Sequence, residues 1–262
     1  YAAVEALGRI GSDEATSALL TFLQRTDPWQ TYPAVVAVGD IGDAKAVYIL
    51  IEKLDDEILC LPAIEALGKL GLANPIPKLI EKILDEDEDI QLAAVTAIAK
   101  IYNAYESPLH PRTFFGKKNP AARELEKAMH PELANRLYQI FLQSKNDTNI
   151  YDILTLFQII PFNGNLFDIA PYLENDETAA IAENLFLKKA KEKRPNHFIE
   201  LLDSQPEEIQ IRILHLLGML EHGQSLPALE KYLEHPTEKI AATAAAAIGF
   251  LGYAHAVPTL FN

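Results

Sequence analysis

The stretch Ala-Leu-Gly-Lys-Leu-Gly at residues 66–71 decides the fold, because close copies of it recur along the chain at a nearly fixed step. The copies are Ala-Leu-Gly-Arg-Ile-Gly at 6–11, Ala-Val-Gly-Asp-Ile-Gly at 37–42 and Ala-Ile-Gly-Phe-Leu-Gly at 247–252. In chain order, the first glycines of the first three copies, Gly8, Gly39 and Gly68, are 31 and 29 residues apart. Such a period is typical of stacked helical repeats rather than of a single globular core.

Each repeat is predicted to be a pair of helices. Within residues 57–68, apolar side chains fall at helical spacing around small ones, so this helix can press closely against its neighbours. The last glycine of the motif suits a left-handed helix cap, and Asn74-Pro75 marks the start of a second helix. Neither helix can bury its apolar face alone, so burial requires stacking on the next repeat. The sequence therefore predicts an all-α fold, an α-solenoid of about eight two-helix repeats that spans residues 1–262 as one domain.

The motif and the segment that follows it resemble HEAT-like repeats of the short type named after phycobilisome lyases. In residues 42–50, Gly-Asp-Ala-Lys-Ala-Val-Tyr-Ile-Leu fits the turn and second helix of that pattern, with Tyr48 at the position of its proline. The resemblance covers residues 1–102 and 206–262 and implies a right-handed superhelix of helix pairs. It says little about function, because the same repeat occurs in scaffolds, lyase subunits and enzymes.

Composition and charge narrow the range of partners. The formal net charge of −14 disfavours a nucleic-acid surface, which needs lysine and arginine against phosphates, and it favours a basic protein partner. No run of residues reaches membrane-spanning length and no signal peptide is visible, so we expect a cytoplasmic protein without a membrane partner. The single cysteine, Cys60, lies in an apolar helix face and is interpreted as a buried small hydrophobe rather than a reactive thiol. Because the chain begins at Tyr1 within a predicted helix, we expect it to be a fragment of a longer protein.

The period breaks after Tyr102. Residues 103–118 contain two prolines, several aromatic residues and a local positive charge, unlike the rest of the acidic chain. A segment of this length without helical periodicity is usually functional or disordered. We interpret it as an insertion loop within a modified fourth repeat. Its residues Arg112, Phe114 and Phe115 either fold back on the repeats or contact a partner.

The second helices are expected to form the concave binding face, which the resemblance to HEAT-like folds implies. Aligning them on the proline position of the repeat places aromatic and charged residues along one row. The residues of that row are Tyr48, Glu52, Glu81, Phe167, Glu200 and Lys231. Two interpretations stay open: a protein- or peptide-binding groove, or a solvated stripe in which Tyr48 takes the packing role of the proline. Trp29 and Tyr32, which follow the turn at Asp27, pose the same choice between partner anchors and packing in the core or at its edge.

Signals for catalysis are weak. None of the seven histidines pairs with a carboxylate or cysteine at a recognised metal-binding spacing, and no serine nucleophile elbow or phosphate-binding glycine loop occurs. We therefore assign no catalytic residue, no metal ligand and no cofactor. The sequence favours a non-catalytic scaffold that binds a protein or peptide on its concave face. The alternative, implied by the resemblance, is a phycobilin lyase-like subunit that attaches a linear tetrapyrrole to a phycobiliprotein or removes it.

Overall fold

The computed structural model describes residues 2–25, 27–106, 119–144, 147–191, 195–220 and 223–252. Within these residues the chain forms α-helices, short 3₁₀ helices and turns, and no strand. The chain divides into two compact units, Tyr1–Asn163 and Gly164–Asn262. The predicted all-α fold class is confirmed.

The helix boundaries follow the repeat. In the described part of the first unit the α-helices are α1 (Ala2–Ile10), α2 (Asp13–Leu23), α3 (Pro28–Ile41), α4 (Val47–Glu52), α5 (Cys60–Leu70), α6 (Ile76–Ile83), α7 (Glu88–Glu106), α8 (Pro120–Lys127), α9 (Pro131–Gln143) and α10 (Asp147–Leu156). In the second unit they are α11 (Leu166–Ile169), α12 (Ala179–Ala190), α13 (Pro195–Asp203), α14 (Glu207–Gly218), α15 (Leu226–Tyr232) and α16 (Glu238–Leu251).

The helices of the first unit stack in two rows. Helices α1, α3, α5 and α7 pack side by side, and α10 continues this line beyond α7. We call these helices the first-helix row. The second helices α2, α4 and α6 pack against α3, α5 and α7. In the second unit, α12, α14 and α16 form a corresponding first-helix row, and the second helices are α13 and α15. This succession of helix pairs is the α-solenoid that the repeat predicted.

Consecutive helices of the first-helix row meet through paired small residues. A Cβ atom added to Gly39 would lie 2.8 Å from the Cα of Ala66, and one added to Gly218 would lie 2.7 Å from the Cα of Ala247. At these distances a side chain has no room, so the two backbones approach each other directly. Ala66 and Ala247 each open a copy of the six-residue motif. In both pairs, a glycine near the end of one first helix therefore receives the alanine that opens the motif of the next.

The ends of the first helices are set by local signals. Gly42 and Gly71 adopt φ angles of 75° and 63° and form the left-handed caps that the motif predicted. At the start of α3, the carboxylate of Asp27 accepts a hydrogen bond from the backbone N–H of Trp29 at 3.1 Å. Pro28 occupies the first position of the helix. This cap places Trp29 in the first turn of α3.

The middle of the first unit departs from the two-helix repeat. Helix α8 packs against α6 and α7, α9 packs against α6 and α10, and α10 packs directly on α7. Here aromatic rings, not small residues, separate the helices. The buried ring of Phe157 lies edge-on to Phe162 and Phe141, with centroids 4.9 Å and 5.9 Å apart.

Helix α7 runs farther than the sequence predicted. It continues to Glu106, because Tyr105 is still buried against the core. The predicted start of the insertion loop, residue 103, is therefore wrong by four residues. The remaining loop residues 107–118, which include Arg112, Phe114 and Phe115, lie outside the described residues. In the described part of the chain, no helix has both the length and the apolar character needed to cross a membrane.

Candidate binding surface

Groove 1 lies between α1 and α3 of the first-helix row and has a volume of about 500 Å³. Its lining residues are Glu5, Gly8, Arg9, Tyr32, Pro33, Val36, Ala37 and Asp40. Small residues bring the two helices together here, since a Cβ atom on Gly8 would lie 3.1 Å from the Cβ of Ala37. The groove is on the scale of sites that hold a small ligand or a few side chains.

Exposed aromatic side chains stand beside groove 1. Trp29 is 70% exposed and Tyr32 is 39% exposed. Both lie on α3 one helical turn apart, and Pro33 and Val36 continue the same face of the helix. Exposed apolar groups that cluster in this way are typical of interaction sites.

The charges around groove 1 are paired. Arg9 donates to Glu5 at 2.7 Å within α1, and Lys69 of α5 donates to Asp40 at 2.6 Å. Both pairs are exposed to solvent, so each contributes little to stability. Their consequence is electrostatic: the charged residues that line the groove already have partners of opposite charge.

Groove 2, of about 430 Å³, lies between α5 and α7 and reaches α10. Its lining residues are Glu65, Gly68, Lys69, Leu92, Ala93, Thr96, Ala97, Lys100 and Asn149. The hydroxyl of Thr96 donates a hydrogen bond of 2.7 Å to the buried carboxylate of Asp152. Burial raises the pKa of Asp152, while that hydrogen bond and the charge of Lys100 act in the opposite direction.

Groove 3 belongs to the second unit and has a volume of about 810 Å³. Its lining residues are Glu174, Glu183, Glu208, Ile211, Arg212, His215, Lys239, Ala242, Thr243 and Ala246. Arg212 donates to Glu183 at 3.2 Å. The imidazole of His215 lies edge-on to the ring of Phe250, with centroids 6.2 Å apart, and Phe250 is 70% exposed. The second unit thus also combines a groove along its first helices with an exposed aromatic ring.

The first-helix row of the first unit is the more tightly spaced row. Its helices meet through glycine and alanine, whereas α2 and α4, and likewise α4 and α6, make almost no backbone contact. The expectation that the second helices form the concave face stays a prediction.

Known repeats match the sequence in two segments. HEAT repeats match residues 1–59 and 195–262, and both segments contain the helix pairs and motif glycines described above. The chain is a HEAT-like repeat protein. No curated protein shows a significant match to its sequence.

Three solved structures are similar to this HEAT-like repeat protein to different degrees. An engineered protein with 16% identity superposes with a TM-score of 0.60 over 98% of this chain and 76% of that one. A designed armadillo repeat protein has 19% identity and a TM-score of 0.42, covering 89% of this chain and 98% of its own. The complex of CpcE and CpcF of phycocyanin lyase from Nostoc sp. PCC7120 has 18% identity and a TM-score of 0.41, covering 94% of this chain and 92% of that one. The first likeness shows the fold alone, and the two lower scores carry no argument.

The second helices of this HEAT-like repeat protein hold the residues predicted for its concave face. Tyr48 on α4 is 68% exposed, which fits a solvated stripe as well as a binding face. Glu52 lies exposed on the same helix. Glu81 on α6 is exposed and accepts a hydrogen bond from Lys78 at 2.8 Å. A binding role for these three residues stays a prediction.

The predicted residues of the second unit differ in their exposure and in their contacts within the protein. Phe167 is half-buried on α11, and its ring lies edge-on to His197 with centroids 5.4 Å apart. Glu200 is exposed on α13. Lys231 on α15 donates to Asp203 at 2.7 Å, and this hydrogen bond holds the pKa of that carboxyl below its usual range. Lys231 therefore already has a partner within the protein.

The aromatic residues after the Asp27 turn belong to the first-helix row. Trp29 is too exposed to be a core residue, whereas packing at the edge of the core and a role as a partner anchor both stay predictions. Tyr32 lines groove 1 itself. Sequence reasoning named both residues and missed the groove beside them, as well as Phe250 beside groove 3. The available signal was the pairing of alanine and glycine in the motif, which marks the helices that approach most closely.

Among the described residues, the remaining chemical candidates are Cys60 and groups of possible metal ligands. Cys60 is buried, as predicted, and burial raises the pKa of its thiol, so the reactive thiolate is disfavoured. Within the described residues, no group of three histidine, cysteine, aspartate or glutamate side chains could hold a metal ion.

Proposed function

We propose that this HEAT-like repeat protein is a non-catalytic scaffold that binds protein or peptide segments on the first-helix row of each unit. The observation that carries the proposal is the exposed aromatic side chains beside grooves in these rows: Trp29 and Tyr32 at groove 1 of the first unit, and Phe250 near groove 3 of the second. Solvent-exposed aromatic side chains on helices are typical binding anchors. Stacked repeats also offer extended surfaces suited to a chain-like partner.

The charge of the protein supports a partner that is neutral or basic. A net charge of −14 repels acidic segments and attracts basic ones over long range. The same charge disfavours nucleic acid. The lyase-like alternative stays a prediction of the sequence resemblance, because no cluster among the described residues singles out a tetrapyrrole site.

Affinity capture from the native cell extract tests which face binds. Three forms are compared: wild type, the pair Trp29→Ala and Phe250→Ala on the first helices, and the pair Tyr48→Ala and Glu81→Lys on the second helices. All four residues are exposed, so each double variant should keep its helical content. We expect the first-helix variant to lose the partners that wild type captures and the second-helix variant to retain them. The opposite pattern would assign binding to the second helices.

A further inference from the structure

Each charged residue that lines groove 1 already pairs with a residue of opposite charge. Three of its lining residues are charged: Glu5 pairs with Arg9 at 2.7 Å, and Asp40 pairs with Lys69 at 2.6 Å. A lysine or arginine that entered the groove would lose hydration and compete with a cation already in place. The charge balance of the groove therefore complements an uncharged side chain.

The other walls of groove 1 are apolar. Pro33, Val36 and Ala37 face it from α3, and Gly8 faces it from α1. Tyr32 also lines the groove, and Trp29 stands one turn earlier on the same face of α3, with 70% of its surface exposed. These groups give a large apolar side chain contact on several sides, while the aromatic rings can exclude water from its edge.

Resting on the proposed function, we propose that groove 1 anchors a large uncharged side chain, of the leucine, methionine or phenylalanine kind, from a peptide segment that crosses α1 and α3. The anchor contacts Val36 and Ala37 in the groove and packs against Tyr32 and Trp29. The rest of the segment is neutral or basic, because the net charge of −14 disfavours an acidic one. Selectivity at this site comes from apolar contact, not from a carboxylate that binds lysine.

Selection of peptides from a random 12-residue display library on wild-type protein provides the probe. We expect enrichment of motifs with leucine, methionine, phenylalanine or tryptophan, without a required lysine or arginine. Trp29 is the only tryptophan in the chain, so its fluorescence reports directly on whether an enriched synthetic peptide reaches groove 1. Peptides that contain tryptophan are excluded from this measurement.

Binding of a labelled enriched peptide is then measured by fluorescence anisotropy for three forms of the protein. Trp29→Ala should weaken binding about tenfold. Tyr48→Ala, which removes an equally exposed aromatic ring from the second helices, should change it by less than about twofold. Raising the salt from about 50 mM to about 500 mM should also have little effect for a neutral peptide, because the anchor is uncharged.

The outcomes separate this inference from the proposed function. Lysine- or arginine-rich motifs that still require Trp29 would overturn the uncharged anchor and leave the first-helix row as the binding face. Motifs that bind Trp29→Ala normally but lose binding with Tyr48→Ala would overturn both. A selection that enriches no motif would also contradict the proposal that groove 1 anchors an uncharged side chain.

Discussion

Residues 1–102 and residues 131–162 lie in the same unit but separate their helices by different means. In the first region, glycine and alanine let consecutive first helices meet backbone to backbone, as at Gly39 and Ala66. In the second region, the rings of Phe141, Phe157 and Phe162 fill the space between helices. Grooves 1 and 2 both lie beside small-residue contacts, at Gly8 and Gly68. The surface of a repeat therefore depends on the side chains between its helices as well as on the arrangement of the helices in pairs.

The largest expected effect is in the aromatic region. Phe157→Ala removes a fully buried ring and should lower the free energy of unfolding by about 3–5 kcal/mol, measured by urea denaturation. Leu142→Ala on α9 is the control, because Leu142 is 53% exposed and its loss should matter by no more than about 0.5 kcal/mol. A loss of less than about 1 kcal/mol for Phe157→Ala would show that the rings do not hold this region together.

A smaller effect tests the backbone contacts. Gly218→Ala places a Cβ atom 2.7 Å from the Cα of Ala247 and should destabilise the protein by about 1–3 kcal/mol, despite the better helix propensity of alanine. Gly249→Ala changes the glycine one repeat later, on α16, where nothing among the described residues lies within 4 Å. That variant should be neutral or more stable by up to about 1 kcal/mol in thermal unfolding. Equal effects at both positions would remove the argument that glycine sets the helix spacing.

The smallest effect is expected where the two regions join. Asp152 on α10 is buried against Thr96 on α7, and burial raises its pKa in the folded state. The folded protein then holds this proton more tightly than the unfolded chain, so wild-type stability falls as the pH rises through the folded-state pKa. Asp152→Asn keeps an acceptor for the Thr96 hydroxyl and removes the buried charge. The variant should match wild type below about pH 4 and exceed it near neutral pH.

Urea denaturation over a pH series measures this difference. The charge of Lys100 favours the ionised form of Asp152 and so provides a second test. In a Lys100→Met background, Asp152→Asn should raise the free energy of unfolding at neutral pH by more than it does in the wild-type background. An Asp152→Asn variant that is less stable than wild type at neutral pH would mean that the ionised carboxylate is stabilised by its surroundings.

Much of the fold could be predicted from short-range patterns. The left-handed caps at Gly42 and Gly71 follow from glycine's tolerance of positive φ, and the buried state of Cys60 follows from its position on an apolar helix face. The end of α7 could not be predicted, because its last turns depend on the burial of Tyr105 against the rest of the unit. The candidate site was predicted only in part: Trp29 and Tyr32 were named, but groove 1, which Tyr32 lines and Trp29 stands beside, was not.

The sequence by itself determined that this chain is built from helix pairs, since periodic apolar residues, capping glycines and prolines act within a few positions of one another. Only the tertiary structure decided that grooves 1, 2 and 3 lie along the first helices. That choice depends on contacts between residues about one repeat apart, such as Gly8 with Ala37 and Gly218 with Ala247. The motif shows that small residues are present, whereas the stacking of the repeats determines which helices those residues allow to approach each other.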